Sequence, residues 1–520
     1  MIVAALLPLI VAGPAHSEAD GVTYVDSSIE FEGQLLNHRF VDLDGDGRMS
    51  LCVALRNPQG RRELRIYEAN RRGFDPGVFR EVPVHPDVLA FGFADVRDEP
   101  GQELLLLTRS GAHSFSLTKE GYAGNISRLA TEPLLYDVPD SRALPYWSYV
   151  LSVGVRDHVL LPGRAGVTIW GPREGEEGSD HYSLHTRVGS EGEVQIDRST
   201  SGRGDGVATS GSGKIRLGVF GNSDGVFLSS DPSVTLLRDG KSYPAPALVD
   251  LQGDGRLDLV YLEDDRLHVY LCGPEGIRGE PSWVEELPDY LQPEDATVRF
   301  EFVDVDADGD LDLMARVSEE MSGLGDREVR LFVLRNDGGR LMPAEATQVL
   351  RFEAAMLIQS VVDADADGTP DLIIRKFSLP SMVEAVSGLE FEMNYMAFLG
   401  TGERRPFERK PAFKQSEVFG VDNIDQVIKR RRLDVDCSGD GVPDLVELDL
   451  QGRIVIRRLV RESSFFGGDS WEYETAPWKR FERRGTILSL DLRDLNGDGV
   501  GDIVTPMRDS LTVLMSSRRR

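Results

Sequence analysis

The sequence predicts an all-β fold, a β-propeller of seven or eight blades closed by its own N-terminal strand. Three observations predict it. An Asp/Gly-rich hairpin recurs along most of the chain, short strand-like runs follow each copy, and no stretch keeps a long helical period.

The copies begin with FVDLDGDGRMSLCVAL from Phe40 and LVDLQGDGRLDLVYL from Leu248. FVDVDADGDLDLMAR from Phe302, VVDADADGTPDLIIR from Val361, LDVDCSGDGVPDLVEL from Leu433 and LDLRDLNGDGVGDIVT from Leu490 continue the series. Each is an apolar run, an acidic turn and a second apolar run, so each reads as a β-hairpin with a loop longer than two residues. FADVRDEPGQELLLLT from Phe93 is a weaker copy, and LSVGVRDHVLLPG from Leu151 has lost the acidic loop.

A third strand follows each hairpin, as in RLHVYL after Asp265, EVRLFVL after Arg327 and GVTIWG after Ala165. A repeat of about fifty to seventy residues with three or four short strands fits propeller blades. Eight inner hairpins are present; seven blades remain if the copy at Leu151 is not a true blade. After the last hairpin only SLTVLM from Ser510 is left, so VTYVDSSIEF ahead of the first hairpin is the natural outer strand for the last blade.

The domain reading is a signal peptide over residues 1–17 and a single propeller over 18–520, with surface insertions around 171–245. The leader rests on the apolar run Ile2 to Ala12 and on the small residues Ala15 and Ser17, which place cleavage before Glu18. The run is too short to span a bilayer, and no other segment is apolar enough to cross one. The chain is expected to be secreted, periplasmic or extracellular.

A formal net charge of −29 over 520 residues excludes nucleic acid and anionic membrane as natural partners. The three cysteines, Cys52, Cys272 and Cys437, lie far apart and form no C-x-x-C pair, so they read as isolated buried thiols.

Much of the acidity falls in the hairpin loops, whose pattern is D-x-D-x-D-G-x-x-D. The fullest copy is Asp304, Asp306, Asp308 and Asp312. The other strong copies are Asp363, Asp365, Asp367, Asp371, then Asp494, Asn496, Asp498, Asp502, then Asp436, Ser438, Asp440, Asp444. Asp42, Asp44 and Asp46 end in Ser50 instead of an acid, and Asp250, Asp254 and Asp258 enclose Gln252. The copy at Asp95 carries Arg97 at a ligand position and is expected to bind nothing. Alternate carboxylates around one point are costly without a cation: two at roughly 4 Å repel by about 4 kcal/mol at an effective dielectric near 20. Hard, anionic oxygen donors on a flexible loop favour Ca²⁺ over Mg²⁺, and no His or Cys stands at a ligand position to favour a softer metal.

These copies resemble FG-GAP/VCBS repeats, similar to those of the integrin α-subunit propeller. The resemblance covers nearly the whole chain after the leader. It implies a propeller with calcium in the loop between the first two strands of a blade. It does not fix a function, because such propellers serve adhesion, ligand binding, carbohydrate chemistry and scaffolding alike. The chain departs from the family at Ser50, Gln252 and Arg97.

No catalytic constellation is legible. His181 and His185 stand four apart without the intervening Glu of a zinc protease, no G-x-S-x-G elbow occurs, and SGSGK lacks the first Gly and the final Ser/Thr of a phosphate loop. Arg203-Gly204-Asp205 reads as a Gly-rich turn. The expectation is a calcium-binding module that binds a protein or glycan or acts as a scaffold. The alternative is a polysaccharide lyase or hydrolase on the same scaffold, which requires a pocket of convergent Lys, Arg, His or Tyr at the propeller centre.

Overall fold

The computed structural model describes residues 21–518 apart from 46–47, 71–72, 99–100, 117–125, 132–133, 135–142, 155, 164–165, 173–181, 189–195, 198–237, 240–246, 264, 293–295, 320–325, 337–340, 379–389, 403, 421–430, 450, 465–467 and 484. The proposed leader, the Arg203-Gly204-Asp205 turn, His181 and much of the 171–245 insertion lie outside the described residues.

Eight four-stranded antiparallel sheets form a ring, one blade each. In chain order the innermost strands are Gln34–Val41, Val88–Ala94, Val150–Val153, Ala247–Val249, Ala296–Val303, Met356–Val362, Arg431–Val435 and Asp491–Arg493, which begin blades 1 to 8. The degenerate copy at Leu151 is a full blade. Its hairpin pairs Val150–Val153 with Arg156–Gly163, and Gly166–Pro172 and Tyr182–Val188 complete the sheet.

The ring closes as expected. Val22–Glu30 lies antiparallel to Ser510–Arg518, from Val22 opposite Arg518 to Glu30 opposite Ser510, and becomes the outer strand of blade 8. Ile29 is fully buried there, in a cluster with Leu51, Val53, Leu511 and Val513 from blades 1 and 8. The two chain ends are therefore held by the same apolar slab that joins the last blade to the first.

Each blade is covered on both faces by its neighbours, and strand composition follows from that. Second strands such as Glu103–Thr108 and Asp258–Glu263 are buried along almost their whole length and are apolar runs without alternation. Outer strands meet solvent on one face and alternate: Gln348–Ala354 runs buried, exposed, buried, exposed from its first residue. The core is a series of slabs between blades, as where Val305, Leu331 and Val333 of blade 5 pack on Leu372, Ile374 and Phe398 of blade 6. Among the described residues no helix is long and apolar enough to cross a membrane.

Candidate metal centre

Every acidic loop joins the first strand of a blade to the second, and in blades 4 to 8 its last Asp is the first residue of that second strand. Asp258, Asp312, Asp371, Asp444 and Asp502 all hold this place and are all buried. One oxygen of each accepts the backbone N–H of the residue seven positions earlier: Leu251, Val305, Ala364, Cys437 and Leu495, at 2.6–3.1 Å. In four blades the other oxygen accepts an N–H at the end of the third strand, from Cys272, Asn336, Gly400 or Ser516, at 2.5–2.7 Å. The closing carboxylate thus locks the loop to its own sheet.

The first Asp shapes the loop from the opposite end. Asp304 accepts the N–H groups of Asp306, Ala307 and Gly309, and Asp494 accepts those of Asn496, Gly497, Asp498 and Gly499. These bonds require a left-handed residue at the fourth position. Gly45, Gly253, Gly439 and Gly497 supply it at φ 64–79°, whereas blades 5 and 6 force Ala307 and Ala366 to φ 61° and 58°.

Two loops bring three carboxylates together. One oxygen from each of Asp304, Asp306 and Asp312 lies within 4.8 Å of the others, and the same holds for Asp363, Asp365 and Asp371. Asp308 and Asp367 stand outside these triads, each turning an oxygen to the backbone N–H two residues on, at 3.0 and 2.7 Å. In blade 7, Ser438 takes the second position and its N–H donates to Asp444 at 2.6 Å. In blade 8 the Asn496 amide donates to the Ser516 carbonyl at 2.8 Å. In blade 4, Asp250 caps Asp254 and Gly255, and Asp254 pairs with Arg256. In blade 1, Asp46 lies outside the described residues, and the buried Ser50 stands where other blades carry the closing acid.

The donor set fits a hard cation. Among the described residues, the buried Oδ1 atoms of Asp306 and Asp444 have no hydrogen-bond partner. Such an oxygen is costly to bury unless a cation or proton satisfies it. Burial pushes Asp312, Asp371 and Asp502 up to about 6, and pushes Asp444 up to about 8, where Asp440 and Asp436 add like charge. These carboxyls resist ionising as they stand, so a cation among them would be strongly linked to their deprotonation.

One arginine escapes a motif reading, and another that the motif marks takes a buried place. Arg335, just past the third strand of blade 5, places Nη2 2.6 Å from Asp306 Oδ2 and 3.5 Å from Asp308 Oδ2. Nothing in its sequence surroundings announces this, because the contact is made across the sheet. Arg97 in blade 2 is buried and donates to the Ser114 carbonyl at 3.1 Å and to its hydroxyl. Glu103 holds the closing position there and accepts the Val96 N–H at 2.9 Å. Its placement seven residues after Val96 was the available signal. The neighbouring Arg156 of blade 3 pairs with Asp98. The loop that carries an arginine at a ligand position is thus flanked by two protein guanidinium groups, those of Arg97 and Arg156.

Residues 250–315, from the loop of blade 4 through the loop of blade 5, match the FG-GAP-like repeat family. This segment is similar to an FG-GAP-like repeat. Together with the eight-bladed ring it fits an FG-GAP propeller resembling that of integrin α-subunits. A comparison with curated proteins finds no match. The FG-GAP propeller supports a binding or scaffold role, and its Asp clusters could hold a metal ion.

Adjacent loops of the propeller are also tied to one another. Gln102 N donates to Leu43 O at 2.9 Å, Asp157 N to Asp95 O at 2.7 Å, and Gly501 N to Asp436 O at 2.7 Å. Gly501 must be glycine, because a Cβ there would stand 2.4 Å from Val435 Cγ1 and 2.9 Å from Cys437 Sγ. These bonds link blade 1 to blade 2, blade 2 to blade 3 and blade 7 to blade 8.

Proposed function

We propose that the protein is an exported, calcium-loaded FG-GAP propeller that presents a rigid surface to a protein or glycan. Residues 1–17 are its leader and 18–520 a single propeller domain in this reading. The observation that carries it is the pair of triads, Asp304–Asp306–Asp312 and Asp363–Asp365–Asp371, each on a loop that also fixes the hairpin. Ca²⁺ would be held by these residues, and in the looser copies by Asp436, Ser438, Asp440 and Asp444, by Asp494, Asn496, Asp498 and Asp502, by Asp250, Asp254 and Asp258, and by Asp42, Asp44 and Asp46. Its role is structural: it neutralises the loops and links folding to occupancy.

The test is a thermal melt in EDTA and in millimolar Ca²⁺. Each occupied site at a hundred times its Kd adds about 2.7 kcal/mol. A rise in melting temperature that shrinks in the Asp306→Asn, Asp365→Asn double variant supports the reading. An unchanged melt would make the loops plain Asx turns and leave only the propeller.

A further inference from the structure

Blade 5 carries a feature that its metal loop does not use. Its outer strand, Gln348–Ala354, pairs on one side with Arg327–Leu334 and, among the described residues, has no strand on the other. A groove of about 600 Å³ runs along that free edge, lined by every residue from Ala346 to Phe352 and closed opposite by Arg405, Arg409 and Pro411. Arg351, Arg405 and Arg409 bring three guanidinium groups to one groove on a chain of net charge −29. Arg351 lies 3.5 Å from Glu328, whereas neither Arg405 nor Arg409 has an ion-pair partner among the described residues.

The basic wall is held in place. The buried Gln348 side chain donates to the Phe407 carbonyl at 2.7 Å and accepts the Phe407 N–H at 3.0 Å. Thr401 N donates to Pro406 O at 2.8 Å and Glu408 N to Leu399 O at 2.9 Å, so the Arg-bearing turn is a tied hairpin. Phe407, 1% exposed, anchors it in the slab between blades 5 and 6. Groove and cations are therefore preorganised relative to the strand edge.

We propose that this groove captures an extended, carboxylate-rich peptide segment by adding it as a fifth strand to blade 5. The free edge supplies main-chain hydrogen bonds, and the three arginines select acidic side chains on alternate positions of the incoming strand. The overall negative charge does not prevent this, because screening at physiological salt confines its reach to about 8 Å and the guanidinium groups lie at contact distance. The assignment deepens the binding-module reading and rests on it.

The probe is a fluorescein-labelled decapeptide of alternating Glu and Val, followed by anisotropy at low and physiological salt. The Arg405→Glu, Arg409→Glu double variant, whose side chains are exposed, should bind about tenfold more weakly, and so should the wild type with the peptide N-methylated at alternate residues. Three results overturn the proposal: no binding of the peptide by the wild type, equal binding by the double variant, or equal binding of the N-methylated peptide. Tighter binding of a sulfated hexasaccharide than of the peptide also overturns it, assigning the groove to acidic glycans. The calcium melt is read on the same samples, so a failed groove with an intact calcium shift leaves the scaffold reading standing.

Discussion

Tyr24 donates its hydroxyl to the backbone carbonyl of Cys437, 2.6 Å away, and the same hydroxyl lies 3.0 Å from Gly501 O. The strand that closes the ring is thus tied to the acidic loop of blade 7 and the edge of the loop of blade 8. Burial holds the phenol well above its ordinary range, so it stays a donor.

Tyr24→Phe keeps the ring against Phe481 and removes only this donor. The expected loss is about 1–2 kcal/mol, the cost of leaving partly buried carbonyls without a partner. It should appear as a lower unfolding midpoint and as faster proteolysis of the N-terminal strand. An unchanged midpoint would mean that the two carbonyls are satisfied without the tyrosine.

Arg335 sits where a cation in blade 5 would compete with it. Arg335→Gln removes the guanidinium from Asp306 and Asp308. In EDTA the variant should lose about 0.5–1 kcal/mol, the usual value of a partly exposed pair. Its blade 5 loop should bind Ca²⁺ roughly three- to tenfold more tightly, measured by calorimetry in an Asp365→Asn background. Weaker binding would instead make Arg335 a support for the loop.

Asp444 makes the metal-free fold sensitive to rising pH. Its folded pKa of about 8 exceeds that of an unfolded Asp, so the folded state binds the proton more tightly. The resulting stability is complete below about pH 4 and is lost as pH rises through about 8. Asp312, Asp371 and Asp502 lose theirs earlier, through about 6. Asp444→Asn offers an amide oxygen to Cys437 and Ser438 and places its NH₂ where Oδ1 has no partner. In EDTA the variant should melt higher than wild type at pH 8, and by a much smaller margin at pH 5. Equal melts at pH 8 would show that Asp444 is already ionised at no cost. With Ca²⁺ the dependence reverses, because acidification protonates the donors and weakens binding.

Much of this was readable in the chain. The hairpins at Phe40, Leu248, Phe302, Val361, Leu433 and Leu490 declare themselves through an acidic turn between apolar runs, and the strand at Val22 through the gap it fills. Blade 3 was legible only as a fragment. It has no acidic loop, and Asp157 instead docks on blade 2, accepting the Asp95 N–H at 2.8 Å. The mutual placement of carboxylates was also beyond the motif: it counts Asp308 with Asp304, whereas folding sets Asp304 beside Asp306 and Asp312.

The sequence by itself determined the fold class, the eight hairpins, the closing strand and the position of each acidic loop. All of these follow from turn chemistry and a period of two, which act within a few neighbouring residues. Tertiary structure alone decided that the fragment at Leu151 is a blade, that Arg335 faces Asp306, that Gln348 clasps Phe407 and that Tyr24 reaches Cys437. These partners stand 59 residues apart for Gln348 and Phe407, and 413 apart for Tyr24 and Cys437. Such contacts are set by how whole blades stack, and no local period in the chain encodes that.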